Sequence, residues 1–219
     1  MQLSISEENY LKTILKIGMK NGYPVSTNSI AHSIQNKAAS VSDMLKKLAE
    51  KDLIQYQLYK GASLTPKGNE IAMMQLRKHR LWECFLVNKL SFSWNEIHEI
   101  AEELEHINSV SLIDKLDEFL GFPKNDPHGD PIPDKMGRIQ KNSFVPLSEI
   151  KPNKMVKILG VLDSSDAFLV HLNKLKLQLG TVITVIEIDN YDNTFVVEIE
   201  GISLSISSKV AQNLLVEVG

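Results

Sequence analysis

The sequence predicts a mainly α chain that closes with a small all-β domain. Helical periodicity dominates the first 120 residues, a proline-rich stretch follows, and short alternating β-type runs occupy the remainder. The 219 residues are enough for two or three small domains, each with its own core.

Tyr10, Ile14 and Ile17 fall on one face of a first helix, which Leu11 and Leu15 widen, and Gly22-Tyr23-Pro24 ends it. Ser26 caps a short second helix carrying Ile30, Ala31 and Ile34. The polar turn Gln35-Asn36-Lys37 leads to a third helix from about Ala38 to Lys51, with Val41, Met44, Leu45 and Leu48 as its apolar stripe. From Ile54 the chain alternates apolar and polar residues around Lys60-Gly61, as a small hairpin does. Two short helices, a turn, a third helix and a β wing make residues 1–72 a winged helix-turn-helix.

Thr65-Pro66 opens a long helix running through Arg80 and Leu86. Ser93-Trp94-Asn95-Glu96 is a capping-box pattern for a helix from about Trp94 to Ile107. A shorter helix holds Leu112, Leu116, Phe119 and Leu120, so 73–121 reads as a second, helical domain. Residues 122–146 contain Pro123, Pro127, Pro131, Pro133 and Pro146 and read as an ordered or semi-rigid linker. Val156–Leu162, Val182–Ile188, Phe195–Ile199, Ile202–Ile206 and Leu214–Val218 read as strands, with one helix near Ser165–Leu175. An SH3-like barrel is the architecture expected for 147–219.

Composition narrows the function. No run approaches the ~20 apolar residues that span a bilayer, and the opening MQLSISEENY lacks a signal-peptide pattern, so no membrane association is expected. Cys84 is the single cysteine, which excludes an intramolecular disulfide and agrees with a reducing, cytoplasmic setting. Residues 1–80 carry 12 Lys and Arg against 6 Asp and Glu, whereas the remainder carries 12 against 21. A basic head on an acidic body points to double-stranded DNA as the partner of the head. On the third helix Ala39, Ser40, Ser42, Asp43, Lys46 and Lys47 lie away from the apolar stripe, and Lys60 tips the wing. The small residues let the helix approach base edges, the lysines neutralise phosphates, and Asp43 fits only by accepting from a cytosine amino group.

The chemistry lies between residues 79 and 106. His79 and Glu83 are spaced i, i+4 on the long helix, and His98, Glu102, Glu105 and His106 fall on one arc of the next. Three imidazoles and three carboxylates suffice for one or two divalent ions. The plainer reading of EE-x-EH is a solvated charged face, but four of the six histidines lie within 79–128. Oxygen and imidazole ligands favour Mn(II), with Fe(II) as the alternative and Zn(II) as an ion that would also enter the site in vitro. Cys84 points about 100° away from Glu83 and reads as a buried thiol.

The strings NYLKTI, LTPKG, RKHRLWE, IHEIAEELEH and PHGDPIP, in this order, resemble the diphtheria-toxin-repressor family of iron- and manganese-dependent repressors, which includes the manganese transport regulators. The resemblance covers nearly the whole chain, and 147–219 is similar to the SH3-like domain shared with the ferrous-transport accessory protein. It implies that His79, Glu83 and His98 match an ancillary metal site and Glu105 and His106 a primary one. Glu102 stands where iron sensors have a cysteine and manganese sensors a glutamate. Asn9 stands where they have a methionine and an aspartate, and is the first helix's candidate ligand. Lys12 replaces a glutamate of the minimal manganese sensors, while Ser164 and Ala167 stand where iron sensors offer Glu and Gln. It further implies a homodimer formed through 94–120, palindromic operators, and repression of metal-uptake genes.

The expectation is thus a metal-dependent DNA-binding transcriptional repressor, not an enzyme. Its rivals are a metal-independent winged-helix regulator using the acidic helix as a partner surface, and a two-metal hydrolase, for which no nucleophile or oxyanion donor can be picked out.

Overall fold

The structure, a computed structural model, describes residues 3–93, 96–140 and 144–218. The chain forms two compact units: Met1–His79 with Leu104–Ser109 and Pro133–Ile139, and Arg80–Glu103 with Val110–Ile132 and Gln140–Gly219.

The first unit starts with α1 (Ile5–Asn21), α2 (Thr27–Ser33) and α3 (Ala38–Glu50). A capping box starts α1: Ser4 Oγ accepts from the Glu7 amide at 3.3 Å, and Glu7 Oε2 accepts from the Ser4 amide at 3.0 Å. Ser26 caps α2 by accepting from Ser29 N at 3.0 Å. Strands β1 (Ile54–Gln57) and β2 (Gly61–Leu64) pair antiparallel with Ile54 opposite Leu64, and Leu58-Tyr59-Lys60 make the turn. Tyr59 takes φ 65° and Gly61 φ 105° there. Val25 extends this ribbon through reciprocal 2.8 Å bonds with Ala62.

Leu11, Ile14, Ile30, Leu45, Leu48, Leu53 and Leu76 form the core beneath these elements. The residues that the apolar stripe of α3 commits to this core leave its opposite face exposed. Thr65 Oγ1 accepts from Gly68 N at 3.1 Å and donates to the Asp52 carbonyl at 2.9 Å, which sets the start of α4 (Pro66–Leu90). A Cβ at Gly68 would lie 1.9 Å from the Leu53 carbonyl oxygen, so only glycine lets α4 begin this close to the wing.

The second unit takes the remainder of α4, most of α5 (Ile97–Leu104), α6 (Val110–Phe119) and a sheet. Glu96 Oε2 accepts from the Ser93 amide at 3.1 Å, while Trp94 and Asn95 of the expected capping box lie outside the described residues. The sheet holds β3 (Val145–Pro146), β4 (Lys154–Val161), β5 (Val182–Ile188), β6 (Phe195–Ile199), β7 (Ile202–Ile206) and β8 (Leu214–Val218). All pairings are antiparallel, in the order β3-β8-β4-β5-β6-β7. Two helices accompany it, α7 (Asp166–Lys174) and α8 (Ser208–Asn213), and β3 and α8 are additions to the expected elements. Leu147, Ile158, Leu172, Ile183, Val185, Val197, Leu214 and Val216 are fully buried.

Within the proline-rich stretch, Val161 N donates to the His128 carbonyl at 2.8 Å, and a Cβ at Gly129 would lie 2.3 Å from the Leu159 carbonyl oxygen. Among the described residues no helix is long and apolar enough to cross a membrane.

Candidate metal centre and nucleic-acid interface

The expected ligand helix is shorter than its pattern. α5 stops at Leu104, so Glu105 and His106 leave it in a turn and belong to the first unit, while His98 and Glu102 stay in the second. The stripe of four is therefore divided between α5 and the turn that follows it.

In the first unit Glu105 is fully buried. It accepts from Lys12 Nζ on α1 at 2.6 Å and 2.8 Å, one bond to each oxygen, and its Oε2 lies 2.6 Å from His79 Nδ1 on α4. Burial pushes the Glu105 carboxyl up, but the His79 bond and the Lys12 charge outweigh it and hold the group at about 2. His106 Nδ1 meets Glu8 Oε2 at 2.7 Å and lies 3.2 Å from Gln75 Nε2, which also donates to the Glu105 carbonyl at 3.2 Å. Sequence reasoning missed Glu8 and Gln75. It named Asn9 as the α1 ligand, and the Asn9 Oδ1 atom is buried and accepts no hydrogen bond among the described residues.

In the second unit Glu83, only 3% exposed, faces His98, with Oε1 3.5 Å from His98 Nδ1. His98 Nε2 in turn lies 3.6 Å from Glu102 Oε1, so one imidazole sits between two carboxylates. His128 Nε2, from the PHGD loop, is 3.8 Å from Glu83 Oε1. Beside them burial, then the charge of Glu83, push the Asp126 carboxyl up, against the pull of Arg80 at 3.3 Å. This donor set of imidazoles and carboxylates suits a divalent ion, which would relieve the crowding of negative charge. His79 lies one turn before Glu83 on α4, and with Nδ1 engaged by Glu105, Nε2 is the nitrogen that would meet an ion. Cys84 is buried and forms no disulfide, its thiol pushed up by burial and by the neighbouring carboxylates.

On α3, Ala39, Ser40, Asp43, Lys46 and Lys47 are exposed and Ser42 is half-buried, its Oγ donating to the Ala38 carbonyl at 3.0 Å. Asp43 pairs with Lys46 at 3.2 Å and so neutralises part of the basic face. Lys47 reaches Glu7 on α1 at 3.2 Å, which turns it towards its own unit, and Lys60 is exposed at the wing tip.

Comparison with known proteins gives matches along most of the chain. Residues 2–62 match the iron dependent repressor, N-terminal DNA binding domain, residues 65–134 its metal binding and dimerisation domain, and residues 145–218 the FeoA domain. The chain is 30% identical over 121 residues to the HTH-type transcriptional regulator MntR of Geobacillus kaustophilus, covering 55% of this chain and 84% of that one. It is 31% identical over 126 residues to the iron-dependent repressor IdeR of Mycobacterium leprae, covering 58% and 54%, so the match spans about half the length of that curated relative. A solved manganese-dependent transcriptional repressor in complex with manganese is similar at a TM-score of 0.79 and 30% identity, over 97% of this chain and 100% of the other.

Proposed function

This chain belongs to the iron-dependent repressor family, and from that premise we propose that it is a metal-dependent, DNA-binding transcriptional repressor of metal-ion uptake genes. The observation that carries the reading is the approach of buried Glu83 to His98, on two different helices, in a chain whose first unit is a winged helix. The family to which the chain belongs consists of DNA-binding regulators, which sets the two-metal hydrolase aside.

In this reading His79, Glu83 and His98 hold one divalent ion, with Glu102 beside His98, and Asn9, Glu105 and His106 are the further ligand candidates. Mn(II) is the effector, with Fe(II) the alternative and Zn(II) an ion that enters in vitro. The donor chemistry supports a harder ion, and relatives include manganese- and iron-dependent repressors. The bound ion supplies a bridge between ligands on separate helices. Such a bridge changes DNA affinity only if the ion binds the two conformations differently, and by linkage DNA then tightens metal binding. Ala39, Ser40, Ser42 and Asp43 face base edges, while Lys46 and Lys60 face phosphates and Lys47, held in part by Glu7, contributes less.

The protein acts in the cytoplasm as a homodimer on a palindromic operator. Its regions are 1–72 for DNA, 73–121 for metal and dimerisation, a linker at 122–146, and an SH3-like barrel at 147–219. The match to a metal binding and dimerisation domain supports the dimer, and the antiparallel sheet supports the barrel.

The test is fluorescence anisotropy with palindromic genomic DNA, titrating Mn(II) and, anaerobically, Fe(II) into chelator-treated protein at fixed salt. Affinity rising tenfold or more, about 1.4 kcal/mol of coupling, is expected. DNA binding that ignores both metals would sink the proposal in favour of the metal-independent regulator.

A further inference from the structure

The cluster around Glu105 has the donors of a metal site but already contains a cation. His79 and His106 bring two imidazoles, and Glu8 and Glu105 two carboxylates, within one buried neighbourhood of the first unit. Such a set takes a hard divalent ion. Here the Lys12 ammonium bonds both oxygens of Glu105, and the two side chains are only 5% and 0% exposed. A divalent ion coordinated by Glu105 would stand a few ångströms from that ammonium, where burial leaves little solvent to screen the repulsion. Glu105 would also have to give up a bonded partner that leaves a buried charge behind.

We infer that the Lys12 side chain takes the place of a second metal ion: its ammonium ties α1 to the turn after α5, and the chain binds one divalent ion rather than two. This rests on the proposed metal-dependent reading, which puts the single ion at His79, Glu83 and His98. Its consequence is a division of labour. The tie between α1 and residues 104–109 then does not depend on the free metal concentration, because its cation is a side chain of the chain itself, and metal regulation enters through the ion at His79, Glu83 and His98. Glu105 then serves as a positioning residue, orienting the His79 imidazole through Nδ1.

The experiment counts Mn(II) per full-length chain by elemental analysis after equilibrium dialysis at fixed free Mn(II), with circular dichroism to check folding. The wild type is expected to hold one ion. Lys12→Glu, which removes the ammonium and adds a carboxylate, is expected to hold two and to gain a larger Mn(II)-induced rise in Tm. Lys12→Met, neutral and of similar volume, covers the case in which the glutamate variant fails to fold, and is also expected to gain an ion. Two ions in the wild type, or no gain in whichever variants fold, overturns the inference while leaving the metal-dependent reading intact. No ion in the wild type but one in a Lys12 variant upholds the displacement of an ion by Lys12 and removes the count of one and the Glu83–His98 assignment. No ion in any of them removes both.

Discussion

The Glu83 carboxylate on α4 and the His98 imidazole on α5 approach to 3.5 Å, although Glu83 is nearly inaccessible and His98 is 53% exposed. In the proposed metal-dependent reading, this buried acid with an imidazole at the solvent edge is where the ion enters without unfolding the protein. His98→Ala removes an exposed side chain, so its Tm without metal should stay within about 1 °C of wild type. Its Mn(II) affinity, read by calorimetry, should fall at least tenfold, about 1.4 kcal/mol. An unchanged affinity would show that His98 only caps a charged surface.

Lys46 and Lys60 are exposed cations on α3 and in the turn between β1 and β2. Lys60→Ala and Lys46→Ala should each weaken all DNA sequences alike and lower the slope of log K against log salt by about 1. Lys47→Ala should do less, because Glu7 holds that ammonium at 3.2 Å. Asp43→Ala should release Lys46 from its 3.2 Å pair and strengthen non-specific binding. Anisotropy at several salt concentrations measures all four, and a slope unaltered by Lys60→Ala and Lys46→Ala would place DNA elsewhere.

Glu7 joins α1 to the end of α3, accepting from Lys51 at 2.6 Å and Lys47 at 3.2 Å. Burial pushes its carboxyl up, but Lys51, the Ser4 amide and Lys47 together hold it at about 2, below the usual 4.5. A depressed folded-state value means that the ionised group stabilises the fold above about pH 4.5, and that this is lost as pH falls towards 2. Glu7→Gln should therefore lower stability at pH 7 by on the order of 1 kcal/mol and lose this difference near pH 2. Urea unfolding across that range checks it, and a difference that persists undiminished at pH 2 would rule out the charge as its cause.

Gly68 lies against the Leu53 carbonyl, where an added Cβ would meet oxygen at 1.9 Å. Gly68→Ala gains helix propensity but must push α4 away from the wing, and a net loss of about 2 kcal/mol is expected. Thermal unfolding reads this directly, and a stabilised variant would mean that the helix start shifts freely.

Much of the architecture is legible in local patterns. Ser26, Thr65-Pro66 and the stripe of Val41, Leu45 and Leu48 mark helices because caps and 3.6-residue periodicity are properties of neighbouring residues. The i, i+4 spacing that puts His79 and Glu83 on one face of α4 was legible for the same reason. The stripe from His98 to His106 misled, because periodicity presumes that the helix continues and α5 ends at Leu104. Glu8 and Gln75 gave no signal: their roles depend on His106 and Glu105, far away in the chain.

By itself, then, the sequence determined the run of helices, the wing, the β-type end and the supply of imidazole and carboxylate donors, since these follow from side-chain chemistry and short-range spacing. Only the tertiary structure decided how the donors are used. Bringing Lys12 to Glu105 across 93 residues, and letting α5 stop one residue before it, takes the packing of α1 and α4 in one core. Burial makes that choice strict, because a carboxylate removed from water must have a cation or a hydrogen-bond donor, and Lys12 and His79 supply both.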